Sequence, residues 1–101
     1  YLADSRRTYE AVAQGIAHSL PDGACVERRN LGIAQRAALY YFSGIVTVPD
    51  ASPRAAECAA LLVQYARLAD GAPPLPGYTI DWQGGRRGDD NERFVLYRKV
   101  P

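Results

Sequence analysis

Four residues between a β-strand pattern and a helix pattern could bind an anion. Arg28, Arg29, Asn30 and Gly32 lie in the stretch CVERRNLGIAQRAALYYF, where a short β-rich run gives way to an amphipathic helix. Free backbone N–H groups at a helix N-terminus bind anions, and arginine binds phosphate through two parallel hydrogen bonds. The stretch therefore predicts either an anion site at these four residues, or an architectural turn.

The glycine content of this loop favours the architectural interpretation. Gly32 is its only glycine. A dinucleotide-binding fingerprint needs three glycines, and a P-loop needs a Gly-rich run that ends in Lys followed by Ser or Thr. We therefore expect an ordinary βα turn in which Asn30 or Gly32 adopts the left-handed conformation.

The two cysteines and the single histidine do not form a metal or catalytic motif. Zinc takes four ligands, or three and a water, and His18 is the only histidine beside Cys25 and Cys58. A CxxC spacing, a Cys–His protease motif and a G-x-S-x-G elbow are all absent from the sequence. We expect no catalytic residue, no metal and no cofactor in this chain. The residues alone leave open a disulfide or two buried thiols.

A cluster of charges lies near the C-terminus, on a Gly-rich turn. Its members are Asp89, Asp90 and Glu92 with Arg86, Arg87 and Arg93. Paired carboxylates can carry out acid–base chemistry or bind a divalent cation. Because arginines surround these carboxylates, mutual charge pairing on a solvated loop is the interpretation we favour.

Composition restricts the class of protein. The 101 residues, 48% of them hydrophobic, suit one domain over 1–101 that buries its own core. Twelve basic and eleven acidic residues leave a net charge of +1, which argues against a nucleic-acid partner. No apolar run approaches the ~20 residues that span a bilayer. The sequence contains no methionine, so we expect a soluble domain excised from a longer protein.

The elements that must position these residues alternate between helix and strand. Apolar spacing and caps predict a first helix over about 5–19 and a second over Ala34–Ser43 that ends at Gly44. A short third helix is expected with Pro53 at its first position and either Ser52 or Asp50 as its cap. Strand patterns cover Ala24–Glu27, Ile45–Val48, Leu61–Tyr65, Tyr78–Gln83 and Arg93–Val100.

Strands joined through helices pair in parallel, with helices on both faces of the sheet. The sequence therefore predicts an α/β fold: a three-layer α/β/α sandwich with a mostly parallel sheet of about five strands. The last two strands add a C-terminal antiparallel hairpin. The proline-containing loop over residues 69–77 is expected to be a stiff surface connection.

Several motifs together resemble the C-terminal soluble domain of bacterial membrane glycosyltransferases of the GT-C type. These enzymes are related to the aminoarabinose transferase and to the protein O-mannosyltransferase family, which includes the dolichyl-phosphate-mannose-protein mannosyltransferases. The resemblance covers most of the chain. It rests on the pieces Cys25-Val26 with Arg29-Asn30-Leu31-Gly32, Cys58 with Leu61-Leu62-Val63-Gln64, Trp82-Gln83-Gly84, and Gly88-Asp89 with Glu92-Arg93-Phe94 and Leu96-Tyr97-Arg98.

This resemblance implies a location and a role. Such enzymes transfer a sugar from a polyprenyl-phosphate carrier to lipid A or protein at the periplasmic face of the inner membrane. Their terminal domain lies above the transmembrane part, which holds the catalytic acidic residues. The expected partners are that transmembrane domain and polyprenyl-phosphate sugar or lipid headgroups. A periplasmic location is oxidising, so the resemblance also implies a Cys25–Cys58 disulfide.

Two other classes of function remain open. A free-standing module that binds a phosphorylated sugar would place a pocket at the carboxyl ends of the parallel strands, near Asn30, Pro49 and Tyr65. A protein-interaction domain would instead dock through the hairpin tip over residues 86–91.

Overall fold

A computed structural model describes residues 2–68, 71–86 and 91–101 of the chain. The described elements, in chain order, are α1 (Leu2–His18), β1 (Val26–Arg29), α2 (Ile33–Ser43), β2 (Thr47–Pro49), a 3-10 helix (Pro53–Glu57), β3 (Ala60–Tyr65), β4 (Tyr78–Gly85) and β5 (Arg93–Lys99). The described helices include none that is long and apolar enough to cross a membrane.

The strands form one mixed sheet. Its order is β2-β1-β3-β5-β4. β1 pairs in parallel with both β2 and β3, whereas β5 pairs antiparallel with both β3 and β4. The five strands and the C-terminal hairpin are as predicted, but the mostly parallel sheet is not confirmed. The reason is that β5 folds back between β3 and β4 instead of extending the sheet at its edge.

Both α-helices contribute to one core, on a single face of the sheet. The cluster contains Val12, Ala13 and Ile16 of α1 and Leu39 of α2, packed on the strand residues Val26, Ala60, Leu62, Phe94 and Leu96. The expected three-layer sandwich is therefore not confirmed. The crossover from β2 to β3 holds only a short 3-10 helix, so it supplies no third α-helix for the other face.

A loop covers part of the other face. Leu61, Val63, Val95 and Tyr97 form the buried cluster there, with Tyr65, Leu68, Ala72, Leu75 and Tyr78 packed against it. The Tyr97 hydroxyl donates to the Pro73 carbonyl at 2.6 Å and lies 2.9 Å from the Tyr65 hydroxyl. Burial, and then the Tyr65 hydroxyl, raise the pKa of Tyr97 above its ordinary range. The loop predicted as a surface connection therefore also contributes side chains to the hydrophobic core on this face.

Local sequence signals predict most ends of the helices and strands to within two or three residues of their positions in the structure. Ser52 accepts a hydrogen bond from the Arg54 N–H, as a cap should, with Pro53 at the first position of the 3-10 helix. Gly44 ends α2 at φ 65°, the left-handed conformation that favours glycine. The largest difference is that α1 already begins at Leu2, and β1 is shifted by two residues, to Val26–Arg29 from Ala24–Glu27.

The disulfide between Cys25 and Cys58 is present, as the resemblance implied. Its two Cα atoms lie 4.7 Å apart, immediately before and shortly before the neighbouring strands β1 and β3. It therefore joins the starts of two paired strands across 33 positions of sequence.

Trp82 packs into a space that two glycines leave open. A Cβ atom at Gly15 would lie 2.7 Å from the indole Nε1, and one at Gly84 would lie 2.9 Å from Cζ2. Both distances are shorter than real Cβ contacts, so the indole needs glycine at both positions. This packing explains the glycine of the Trp82-Gln83-Gly84 piece and joins α1 to β4.

Candidate functional site

The carboxyl ends of β1 and β3 border a cleft. The chain leaves β1 toward α2 on one face of the sheet and leaves β3 toward the loop on the other face. Such a divergence opens a crevice where α/β proteins commonly bind ligands. We call it the switch-point cleft; it has a volume of about 390 Å³ and is lined by Asn30, Gln64, Ala66, Asn91 and Glu92.

Asn30 has a backbone conformation that few residue types adopt. Its φ is 61°, whereas Gly32 is extended at φ −69° and ψ 161°. Asparagine tolerates the left-handed region better than most residues because its short side chain can hydrogen-bond locally. The predicted left-handed turn is therefore confirmed, with Asn30 as the left-handed residue.

The side chain of Gln64 already occupies the N-terminus of α2. The Gly32 N–H donates to Gln64 Oε1 at 3.0 Å. A Cβ at Gly32 would collide with Gln35 Oε1, so a larger residue here would have to move the end of that side chain. An anion at this helix end would have to displace the Gln64 amide.

The structure does not bring the two predicted arginines together. Arg28 and Arg29 are consecutive residues of β1, so their side chains point to opposite faces of the sheet. Arg28 donates to the Thr47 carbonyl at 2.8 Å and to the Thr47 hydroxyl at 3.2 Å. The Arg29 guanidinium forms two long ion pairs, with Nη2 3.6 Å from Glu27 Oε2 and Nε 3.8 Å from Asp50 Oδ2. Of the four predicted site residues, only Asn30 lines the switch-point cleft, and Gly32 contacts its lining residue Gln64.

Glu92 accepts hydrogen bonds from two helices at one side of the cleft. Its carboxylate accepts from the Tyr9 hydroxyl of α1 and from Gln35 Nε2 of α2, both at 2.7 Å. Arg86 Nε lies 3.3 Å from the same carboxylate, and the Arg86 guanidinium stacks 4.6 Å from the centre of the Tyr9 ring. We call these four residues the Glu92 network.

The Glu92 network changes the acidity of Tyr9. Burial, followed by the hydrogen bond to Glu92 and the charge of that carboxylate, raises the pKa of Tyr9 to about 12. The sequence predicted mutual charge pairing on a solvated loop; Arg86 and Glu92 do pair, but both side chains are partly buried. The tip residues Arg87, Asp89 and Asp90 of that cluster lie outside the described residues. No sequence pattern indicated that Tyr9 and Gln35 contact Glu92, because both are far from it along the chain.

The chemistry of the cleft suits hydroxyl groups better than phosphate. Asn30, Gln64 and Asn91 carry amides, which both donate and accept hydrogen bonds, and Glu92 adds a carboxylate. None of the described residues that line the cleft is cationic. The part of the chain that the structure describes contains no group of three His, Cys, Asp or Glu placed to hold a metal ion. Pro49 and Tyr65, also predicted near the pocket, are not among its lining residues.

A second surface feature lies on α2. Most of its exposed positions carry apolar or aromatic side chains: Ile33, Ala34, Ala37, Tyr40 and Tyr41. We call these residues the α2 stripe. Helices at a protein surface normally turn their polar positions to water, so this exposed face is the reverse of the usual arrangement.

Comparisons with protein-family models, with curated proteins and with solved structures found no match to this chain.

Proposed function

We propose that this chain is the periplasmic C-terminal domain of a bacterial membrane glycosyltransferase. The parent enzyme would transfer a sugar from a polyprenyl-phosphate donor to lipid A or protein. The role of this domain is accessory: it packs on the transmembrane part or contacts the acceptor or lipid headgroups. The proposal starts from the sequence resemblance, and the disulfide is the structural observation that supports it.

The disulfide supports an oxidising location. Disulfides persist in the bacterial periplasm and are rare in the cytosol. Cys25 and Cys58 each belong to one of the pieces that carry the resemblance, and they are joined at the starts of the paired strands β1 and β3. The chain-entropy model attributes about 3–4 kcal/mol of stability to a crosslink across this separation.

An accessory role fits the way in which the polar side chains are engaged. Glu92 accepts hydrogen bonds that hold α1 and α2 against the start of β5, and Gln64 satisfies the N-terminus of α2. These contacts stabilise the fold. They do not pair a nucleophile with a base, the arrangement that covalent catalysis requires.

The compartment is tested by trapping thiols in living cells. Cells that express the complete gene are quenched and unfolded in denaturant that contains an alkylating reagent, so that the buried Cys58 can react, and the peptides around Cys25 and Cys58 are weighed without reduction. The proposal expects one disulfide-linked pair of peptides. A Cys25→Ala variant is the control, because it must show Cys58 in the alkylated form. Two alkylated cysteines in the unaltered protein would contradict a periplasmic location.

Lipid-headgroup contact through Arg28, Arg29, Asn30 and Gly32 is part of the proposal. Because Arg28 and Arg29 point to opposite faces, single variants separate their contributions. Arg28→Ala and Arg29→Ala in the full-length enzyme are assayed for sugar transfer, with the fold checked by circular dichroism. Reduced transfer by one folded variant would identify the face that meets lipid. Unchanged transfer by both variants would remove the arginines from the proposal.

The switch-point cleft favours a second candidate function, a module that binds a small sugar. Its amides and carboxylate are suited to sugar hydroxyl groups, while a sugar phosphate would find no cation among the described lining residues. Heat stabilisation is measured with neutral sugars and with nucleotide sugars. The control is Asn30→Gly, which keeps the left-handed backbone and removes the amide. Stabilisation of the unaltered chain that this variant loses would support the module, and no stabilisation would exclude it.

A further inference from the structure

The α2 stripe is an exposed surface with unusually little polarity. Ile33 is 76% exposed, Tyr40 is 64% exposed and Tyr41 is 78% exposed. Single exposed apolar residues are common, but contiguous apolar patches usually mark an interaction site. Here Ile33, Ala37, Tyr40 and Tyr41 recur at the spacing of one helix face, so the exposed residues form a continuous surface.

The apolar surface of the α2 stripe continues onto the segment that follows α2 in the same chain. A shallow cavity of about 400 Å³ lies between Ile33, Ala37 and Tyr40 of α2 and the segment around Val46, which is 64% exposed. Arg28 and Arg36 also line this cavity. The surface therefore combines apolar side chains, tyrosines and two arginines.

The charge of this surface has one sign. Positions 33–49 contain no Asp or Glu, and Arg36 is the only charged residue among them. Arg28 adds a second positive charge from β1. A surface with apolar and aromatic residues beside arginines is complementary to a bilayer with anionic headgroups. Tyrosine also favours the membrane interface, where its ring is in an apolar environment and its hydroxyl in water.

We infer that the α2 stripe, with Val46, Arg28 and Arg36, binds the surface of a bilayer that contains anionic phospholipid. Ile33, Tyr40, Tyr41 and Val46 enter the boundary between headgroups and acyl chains. The two arginines pair with lipid phosphates. This inference rests on the proposed membrane location, because it names the partner of a domain held at the periplasmic face.

Flotation with lipid vesicles tests the inference on the folded, oxidised chain. One set of vesicles contains phosphatidylcholine alone, and the other contains phosphatidylcholine with phosphatidylglycerol. The chain should float with the anionic vesicles and much less with the neutral ones. Raised salt should weaken the binding, because salt screens the arginine contribution.

Variants on and off the surface locate the contact. The double variant Ile33→Ser with Tyr41→Ser should lower the vesicle partition constant by more than about tenfold, since it removes apolar groups that would enter the bilayer. Ile80→Ser is the matched control, because Ile80 is a 40% exposed isoleucine on β4 and should leave binding unchanged. All these variants change exposed residues, and circular dichroism is used to check that each is folded.

A second pair of variants tests the charges. Arg36→Gln should lower binding to anionic vesicles roughly fivefold, the effect expected for one basic residue near an anionic surface. Arg67→Gln removes an exposed arginine outside the stripe and cavity and should have a smaller effect. Equal losses for the two variants would mean that net charge alone attracts the chain, which would overturn the assigned surface.

Other outcomes overturn the inference in ways that leave the proposed function separately testable. No binding to anionic vesicles at low salt would overturn it, even if the gene encodes membrane spans. A concentration-dependent dimer abolished by Ile33→Ser with Tyr41→Ser, without vesicle binding, would assign the stripe to contact between copies of the chain. Stripe-dependent vesicle binding by a chain whose gene encodes no membrane span would support the inference and refute the proposed parent enzyme.

Discussion

Reduction of the Cys25–Cys58 disulfide should remove a large part of the stability of this domain. The bond joins residues 33 positions apart. In the chain-entropy model, opening a loop of this length lowers the free energy of unfolding by about 3–4 kcal/mol at 25 °C. A domain of this size has a total of only about 5–15 kcal/mol. The reduced chain should therefore remain folded but much closer to its unfolding transition.

Urea denaturation measures this loss directly. With a urea dependence of ~1.5 kcal/mol per molar, the midpoint should fall by roughly 2–3 M on reduction, and the slope should change little. Circular dichroism and the fluorescence of Trp82, the only tryptophan, report the transition.

A double variant separates the crosslink from side effects of the reductant. Cys25→Ala with Cys58→Ala should unfold close to the reduced wild-type midpoint and should not respond to reductant. Alanine is preferable to serine because Cys58 is buried, and a hydroxyl there would add a desolvation cost of its own. Equal urea midpoints for the oxidised and reduced chains would show that the disulfide does not stabilise the fold.

Three further predictions concern the packing of the helices. Glu92→Ala should lower the free energy of unfolding by about 2–3 kcal/mol in urea, because it removes a carboxylate that accepts two hydrogen bonds at 2.7 Å. Asp81→Ala is the control, because it breaks an exposed ion pair with an arginine of β5 and should lower the free energy of unfolding by less than about 1 kcal/mol. An equal decrease for the two variants would contradict the stabilising role of the Glu92 network. Gly15→Ala should destabilise by roughly 1–2 kcal/mol despite the helix propensity of alanine, since its Cβ would meet the Trp82 indole; stabilisation with unchanged Trp82 fluorescence would contradict that packing. The pKa of Tyr9 is raised to about 12, so the contribution of this group to stability is complete below pH 10 and is lost as the pH rises toward 12. Tyr9→Phe should therefore reduce the loss of stability at alkaline pH. An unchanged alkaline loss in this variant would contradict the assigned role of Tyr9.

Patterns within short stretches of sequence predicted the elements well. The alternation in Tyr78–Gln83 and Arg93–Val100 gave the hairpin, and the apolar run Leu61–Tyr65 gave a central strand. Caps such as Ser52 and Gly44 act through nearby backbone groups, so they are visible without knowledge of the fold. These features depend on neighbours close in sequence, which is why they could be recognised.

The arrangement of the elements depends on contacts that these patterns do not contain. α2 has apolar residues on more than one side, so periodicity alone could not show that Leu39 faces the core while Tyr40 and Tyr41 face outward. The position of β5 between β3 and β4 likewise follows from pairing between distant segments. The predicted layers therefore differed from the structure although the elements were largely correct.

The candidate site was only partly visible in the sequence. Asn30 and Gly32 were identified because turn residues between a strand and a helix are recognisable. Arg28 and Arg29 were grouped with them because the end of β1 was expected two residues earlier, which would have placed both in the loop. The Glu92 network joins positions up to 83 residues apart, and nothing in the local sequence links them.

The most direct test of the central claim is the sequence encoded upstream of the codon for Tyr1. If the domain belongs to a membrane enzyme, we expect a continuous upstream reading frame with many apolar segments of ~20 residues, each long enough to span a bilayer. A start codon or a cleavable signal sequence immediately upstream would contradict it. The domain would then be a free-standing protein, and the switch-point cleft would become the first place to look for its ligand.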